Sequence, residues 1–412
     1  MNTYAVIILI TLLGEFFLNL IADLLNMRTL SGPLPGEFAG VFDAEAYRKA
    51  QRYAETRLEF GLLTSTISLS VTLVFWFAGG FRALDDFVRQ WHPGVIWTGM
   101  LYIGILLLAR SVLSLPFSIY SIFVIEERFG FNTTTGKTFG ADIAKGLALA
   151  IVIGGPLLLG ILWLFEFAGS IAWFYGWIVG TIVALFIQFI APTWIMPLFN
   201  KFTPLPDGEL KEKIVSFAGS VDFSLKEIAV MDGSKRSSKS NAFFTGFGKN
   251  KRIALFDTLI AQHTVPELVA VLAHEIGHYK KKHIVQSMVI GILHTGVMLY
   301  LLSLFVGNER LSDAFSMEHP SVYAGMIFFG MLFTPLEFLL SLLLHARSRR
   351  NEFAADRFAA ETTKDPKSMI DALKKLSVHN LSHLTPHPFY VALNYSHPPV
   401  LERIRALEEL EV

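Results

Sequence analysis

The sequence predicts a mainly α-helical, polytopic membrane protein of seven transmembrane helices with a small sheet-containing polar domain. Three observations carry that expectation. Of 412 residues, 52% are hydrophobic and only 17% charged, and the mean hydropathy is +0.48, too apolar for an ordinary soluble chain. The apolar residues gather in runs close to the ~20 residues that a helix needs to cross a bilayer. Two polar stretches, 199–283 and 346–412, interrupt and follow them. The chain thus divides into five spans with their loops (1–198), a polar segment (199–283), two further spans (284–345) and a polar C-terminal segment (346–412).

The first span is Tyr4 to Leu25, which has neither the basic start nor the small-residue cleavage site of a signal peptide. A polar, arginine-rich loop to Arg57 leads to a second span, Glu59 to Gly79, and a third, Gly94 to Leu115, where Pro116 invites a kink. Ala141 to Phe167 and Ile171 to Ile195 are the fourth and fifth. In the polar segment, Pro204 to Gly208 reads as a turn and Glu209 to Ala218 as a short helix. Glu227 to Met231, Ala242 to Phe247 and Arg252 to Phe256 read as strands, the last two joined by a hairpin-sized connection, Gly248 to Lys251.

The next helix carries the chemistry. Thr264 and Glu267 form a capping box with Pro266 in the first turn. The run V-L-A-H-E-I-G-H-Y-K, Val271 to Lys280, then sets His274 and His278 one turn apart on one face with Glu275 beside them. That is the H-E-x-x-H geometry of a zinc hydrolase. Two histidines at this spacing also arise by accident, so a third ligand decides. The chain has no cysteine, which leaves His, Asp and Glu to hold any zinc and excludes disulfides and a thiol nucleophile. With no breaker after His278, this helix is expected to run on into the sixth span, Ile284 to Val306. The seventh, Val322 to Leu344, carries on through Ala346 to Ala360. A helix from Pro366 to Leu376, a histidine-rich loop to His397 and a final helix, Pro399 to Leu410, complete the chain.

The basic residues set a topology. Lysines and arginines crowd the loop between spans five and six, including Lys280 to Lys282, whereas the loop between spans six and seven has only Arg310. The former is therefore expected to face the cytoplasm, which puts the N-terminus outside and both polar segments inside. On that side Ser348 to Asp356 reads S-R-R-N-E-F-A-A-D, with Glu352 and Asp356 one turn apart. Glu352 would close a His₂Glu site for one zinc ion, and Asp356 would hold the second ring nitrogen of a ligand histidine. The plainer alternative is a charged helix end whose carboxylates pair with Arg349 and Arg350. With the site complete, Glu275 takes the role of general base for water at the metal.

These motifs resemble those of the type I CaaX prenyl proteases, seven-span zinc metalloproteases of the endoplasmic reticulum with bacterial relatives. The resemblance also covers P-L-F-N-K-F-T-P-L-P (Pro197 to Pro206), S-N-A-F-F-T-G-F-G (Ser240 to Gly248) and Y-S-H-P-P-V-L-E-R (Tyr395 to Arg403). It implies His274, His278 and Glu352 as zinc ligands, Glu275 as base, and an edge strand at Asn241, Ala242 and Phe243 that pairs with extended substrate. It further implies that His397 and Arg403 face the site to stabilise the oxyanion or orient substrate, and that the spans enclose a water-filled chamber. Within or near those spans stand Glu15, Asp23, Arg110, Glu166, Gln188, Gln286, His294 and Glu337, ionisable or polar groups that are costly unless they face protein or water. Expected partners are a peptide or protein substrate, prenylated or not, and the bilayer; the formal net charge of zero offers no ground for nucleic acid, and none is expected. The acidic ending E-E-L-E-V and the short loop between spans six and seven point to a prokaryotic inner-membrane homologue, in which turnover of membrane proteins replaces CaaX processing.

Other classes fit less well. A site-2 protease places its motif inside a span with a later Asp-Gly, whereas Asp232-Gly233 here precedes the motif. A transporter has no use for Glu275 and Glu352 together, and a zinc-bound scaffold has none for Glu275.

Overall fold

The computed structural model describes residues 1–225, 227–245 and 252–410. Seven of its helices are long and apolar enough to span a membrane: α1 (Thr3–Thr29), α2 (Ala44–Phe77), α3 (Val95–Phe129), α4 (Gly136–Phe167), α5 (Gly169–Phe199), then α8 (His283–Phe305) and α9 (Val322–Thr363). Capping fixes their starts where polar residues precede the apolar runs. The Asn2 side chain accepts from the Ala5 N–H, and the Asp43 carboxylate from the Ala46 N–H, satisfying amides that a helix start otherwise leaves bare. Turns of π-helix interrupt α3 at Ser121–Glu126, α4 at Ala150–Gly154 and α5 at Ala191–Ile195, near Pro116, Pro156 and Pro192 respectively. Pro192 lies within its π turn and Pro156 two residues after the end of its own, so the N–H each lacks and the carbonyl each crowds four residues back fall in or beside the disturbed ladder. Pro116 precedes its π turn by five residues, and Pro335 lies within α9 without one.

The spans touch one another sparingly. In α2, α4 and α5 no more than 6% of the most apolar window is buried, so these helices expose both faces, as a wall one helix thick must. Several polar contacts lie at the two ends, besides those within the spans such as Trp177 of α5 donating to the Ile292 carbonyl of α8 at 2.8 Å. At one end Trp76 donates to the Ala314 carbonyl at 2.8 Å, Arg82 pairs with Glu318, and Tyr323 donates to Asp85. At the other, Lys239 of the polar segment reaches Tyr53 of α2 and Glu126 of α3 at 2.6 and 2.8 Å, and Arg236 forks onto Asp142 of α4 at 2.8 and 2.9 Å. The chain's N-terminus and its two polar segments therefore lie at opposite ends of the bundle.

The polar segment holds a four-stranded sheet of order β1-β2-β4-β3, from β1 (Phe202–Pro204), β2 (Glu227–Met231), β3 (Ala242–Thr245) and β4 (Arg252–Phe256). β2 and β4 are parallel with Ile228 opposite Ile253, while β1 and β3 run antiparallel on the outside. One face meets α6 (Glu209–Ser220) and α7 (Val265–Lys280), where Leu268, Leu272 and Ile276, one turn apart, are buried with Ile253, Leu255 and Ile214. Another face of α7 packs on α9 and on α10 (Pro366–His379). There Gly277 lies against Ala355, so closely that a Cβ on it would stand 3.2 Å from the Ala355 backbone and 3.1 Å from Phe358.

Several expectations change. The metal-motif helix does not run into the sixth span: it stops at Lys280, and Lys282 takes a left-handed turn at φ 60° before α8 begins. The break is a backbone event at one residue, which hydropathy does not register. The histidine-rich loop contains a further helix, α11 (Pro388–Asn394), started by the His387 imidazole accepting from the Phe389 N–H at 3.2 Å, ahead of α12 (Val400–Glu408). Phe202–Pro204 is a strand although it ends in proline, which an edge position tolerates. The connection Gly248 to Lys251 and the far end of the Ser240 to Gly248 motif lie outside the described residues. Conversely, the continuation of the seventh span through Ala360 holds, in one helix of 42 residues.

Gly277→Leu should overpack the α7–α9 contact, costing about 1–3 kcal/mol and loosening the two halves of the candidate site together. The check is a lower unfolding temperature with a matching loss of bound zinc; a variant of unchanged stability and zinc content would refute the close-contact reading.

Candidate active site

Two helices and the segment after α11 supply the side chains. From α7 come His274, Glu275 and His278; from the polar end of α9 come Glu352 and Asp356; His397 follows α11 and Arg403 lies in α12. The His274 and His278 Nε2 atoms are 3.0 Å apart. The Glu352 carboxylate stands 3.5 Å from the first and 3.3 Å from the second. Four ligands arranged tetrahedrally at zinc–nitrogen distances of ~2.0–2.1 Å stand roughly 3.3 Å from one another, so this triangle has the size and donor chemistry of a zinc site with one corner left to water. Among the described residues it is the group whose geometry suits a metal ion.

The surroundings hold the triangle rigidly and draw positive charge into it. His274 Nδ1 lies 2.8 Å from Asp356, and Asp356 accepts two hydrogen bonds from Arg403, at 2.6 and 2.7 Å. Burial opposes protonation of His274, yet the hydrogen bonds to Asp356 and Glu352 outweigh it and raise the imidazole to about 9. The same carboxylates that attract that proton suit a divalent cation. Glu275 differs from them in its proton affinity: burial, aided by the nearby Glu352 charge, pushes its carboxyl above the ordinary range against the opposing pull of His274, His278 and Arg403.

His278 is oriented by a residue that sequence reasoning passed over. Its Nδ1 lies 3.0 Å from Nδ1 of His283, the first residue of α8, which the left-handed turn at Lys282 swings back over the motif. A histidine five residues past H-E-x-x-H is a weak signal, since on a continuous helix it would point elsewhere.

Arg403 is buried and committed to Asp356, with one nitrogen 3.5 Å from Glu352; it braces the ligands and leaves little of its fork for substrate. His397 is different, with 65% of its side chain exposed and Nε2 only 3.5 Å from Glu352. Arg349 does not pair with the carboxylates, as the plainer alternative required, but donates to the Val391 and Tyr395 carbonyls at 3.2 and 2.7 Å. Asn241, Ala242 and Phe243 lead into and along β3, at the outer edge of the sheet next to α7. His379, His383 and His387 form no metal cluster: His383 lies 3.3 Å from the Thr29 hydroxyl, and His387 caps α11. His294, within α8, pairs with Glu337 at 3.0 Å.

With this geometry in hand, known proteins bear on the chain. The family model described as CAAX prenyl protease N-terminal, five membrane helices, matches residues 23–201, and that of peptidase family M48 matches residues 204–411. The chain is 37% identical to the CAAX prenyl protease 1 homolog of Oryza sativa over 94% of its length and 93% of the relative's. It is 36% identical to CAAX prenyl protease 1 of Saccharomyces cerevisiae, over 91% and 88%, and 32% identical to the human homolog, over 92% and 89%. The crystal structure of S. mikatae Ste24p superposes with a TM-score of 0.94 at 34% identity, covering 99% of this chain and all of that one.

Asp356→Asn removes the carboxylate that fixes the His274 ring, and zinc affinity should fall roughly 10- to 100-fold, measured by competition with a chelator; unaltered affinity would leave Asp356 no role at the metal. A second outcome concerns pH. Burial pushes the His383 imidazole down to about 4, so the folded chain resists a proton that the unfolded chain accepts. The stability this contributes is complete above about 6.5 and is lost as pH falls towards 4. His383→Gln should flatten the acid limb of a thermal-unfolding profile over that window; an identical limb would dismiss the effect.

Proposed function

The chain belongs to peptidase family M48, in its CaaX prenyl protease branch, and on that premise we propose that it is an integral-membrane zinc endopeptidase cutting close to the C-terminus of CaaX proteins. One observation supports this reading above the others: His274, His278 and Glu352 converge at ligand spacing with the Glu275 carboxylate next to them. A scaffold would make no use of that fourth group.

Zinc, when bound, supplies the Lewis acidity that activates water and polarises the scissile carbonyl. Glu275 takes the proton from the attacking water and passes it to the departing amine, a task suited to a carboxyl whose affinity for protons burial has raised. His397, exposed at the rim, donates to the oxygen on which charge develops. Arg403 and Asp356 act through His274, keeping its ring fixed while the charge at the centre changes. Extended substrate lies along β3, whose inner side pairs with β4, and Asn241, Ala242 and Phe243 engage its main chain. Main-chain pairing is tolerant of sequence, and this favours a second reading in which the enzyme also degrades membrane proteins that carry no lipid. The catalytic end faces the cytoplasm, in keeping with the lysines and arginines gathered there.

A farnesylated CaaX peptide and its unprenylated twin distinguish these readings. Glu275→Gln should keep its zinc and lose about 10²- to 10⁴-fold in kcat; His397→Ala should lose about 10²- to 10³-fold with KM little changed. Cleavage that depends on the lipid supports CaaX processing, and equal cleavage of both supports the broader role. Full activity in zinc-loaded Glu275→Gln would sink the mechanism.

A further inference from the structure

A cavity of about 310 Å³ opens between α8 and α9, and its lining includes Asn351 and Ser396, the chain neighbours of Glu352 and His397. His294 of α8, His345, Arg347, Ser348 and Asn351 of α9, and Ser396 contribute to its lining. Asn351 precedes Glu352 and Ser396 precedes His397, so one end of the cavity adjoins the place where the peptide bond is cut. Along α9, His345, Ser348 and Glu352 follow one helical row and Arg347 and Asn351 the next, a continuous track from the cavity to the metal ligand.

The lining mixes apolar side chains, Ile290 and Leu344, with polar and basic ones and carries no carboxylate, although Glu337 pairs with His294. Arg347 is its fixed positive charge. Among the described residues its guanidinium donates to the Gln286 side-chain oxygen and enters no ion pair, whereas its neighbour Arg349 donates to two backbone carbonyls. A half-buried guanidinium with a neutral partner and an open cavity before it is suited to an anion that arrives with a ligand.

We propose that this cavity receives the free α-carboxylate at the C-terminus of the substrate, with Arg347 as its partner. The inference rests on the peptidase reading and adds the feature of the substrate by which the cut is located. From Arg347 to Glu352 is five residues of helix, a rise of about 7.5 Å. Two to three residues of extended peptide cover ~7–10 Å. A carboxylate held at Arg347 therefore brings a bond two or three residues from the end of the chain to the metal, and distance from the terminus substitutes for recognition of side chains.

The test compares a farnesylated CaaX peptide bearing a free C-terminal carboxylate with the same peptide as its C-terminal amide, on zinc-loaded wild type, Arg347→Gln and Arg347→Lys. Dissociation constants for both peptides are measured in parallel on zinc-loaded Glu275→Gln with and without Arg347→Gln. Wild type should show a KM for the amide roughly 10- to 100-fold above that for the acid. In Arg347→Gln that ratio should collapse towards one, and Arg347→Lys should restore part of it, which a merely structural role would not do. Equal KM values in wild type, or a ratio that survives Arg347→Gln, would overturn the anchor and leave the peptidase standing. If wild type cut neither peptide, the peptidase reading would fall, and equal affinities for acid and amide would dispose of the anchor independently.

Discussion

Two helices separated in sequence by a membrane span and its loop must approach within van der Waals contact for this site to exist. α7 brings a pair of imidazoles and α9 a carboxylate, and the small residues Gly277 and Ala355 let the backbones meet. The chain from His274 through Asp356 to Arg403 then ties α7, α9 and α12 together at distances of 2.6–2.8 Å. Burying these charges is costly in isolation; each is opposed by a partner, which is the condition under which such groups persist in an interior. Everything else at this end, from the sheet beneath α7 to the helices packed around α9, positions those few atoms.

The rest of the molecule is built on an opposite plan. The bundle is tied at its ends by specific polar contacts and is thin between them, with helices that bury little of themselves. The hydrophobic effect supplies no force between helices in lipid, whose tails are as apolar as the side chains, so close packing and hydrogen bonds must hold the wall. Hydrogen bonds and aromatic contacts at the rims do so: Phe315 stacks on Phe328 at 3.8 Å at the end bearing the N-terminus, and Lys239, flanked by Tyr53 and Phe131, links the polar segment to the spans at the other.

Much of this was legible in the residues. Spans declare themselves by apolar length, and α7 by its capping box and its His-Glu-His spacing, because both are local properties. Glu352 and Asp356 could be paired with that helix because charge asymmetry places both polar segments on one side. What escaped depends on neighbours in space. His283 aligns with His278 where Lys282 adopts a left-handed conformation, and the two hydrogen bonds of Arg403 to Asp356 join residues 47 positions apart. The π-turns in α3, α4 and α5 were hidden for a related reason: a proline signals disturbance without saying whether the helix kinks, ends or slips its ladder.

The unbroken run of α9 has a mechanical side. Val322 to Glu352 is thirty residues, about 45 Å of rod at 1.5 Å per residue, with the ligand at its tip. Rotating such a rod by one degree about its far end displaces the tip by roughly 0.8 Å, several times the ~0.2 Å within which metal–ligand distances must be kept. Bilayer thickness and curvature act on helix tilt, so a ligand on this lever would wander with every fluctuation of the lipid if it were attached to the membrane alone. Arg403 and the Gly277 contact therefore serve as a mooring at the free end of the lever, and the break at Lys281 and Lys282 uncouples α7 from its own span, so that the two imidazoles travel with the carboxylate rather than with the bilayer.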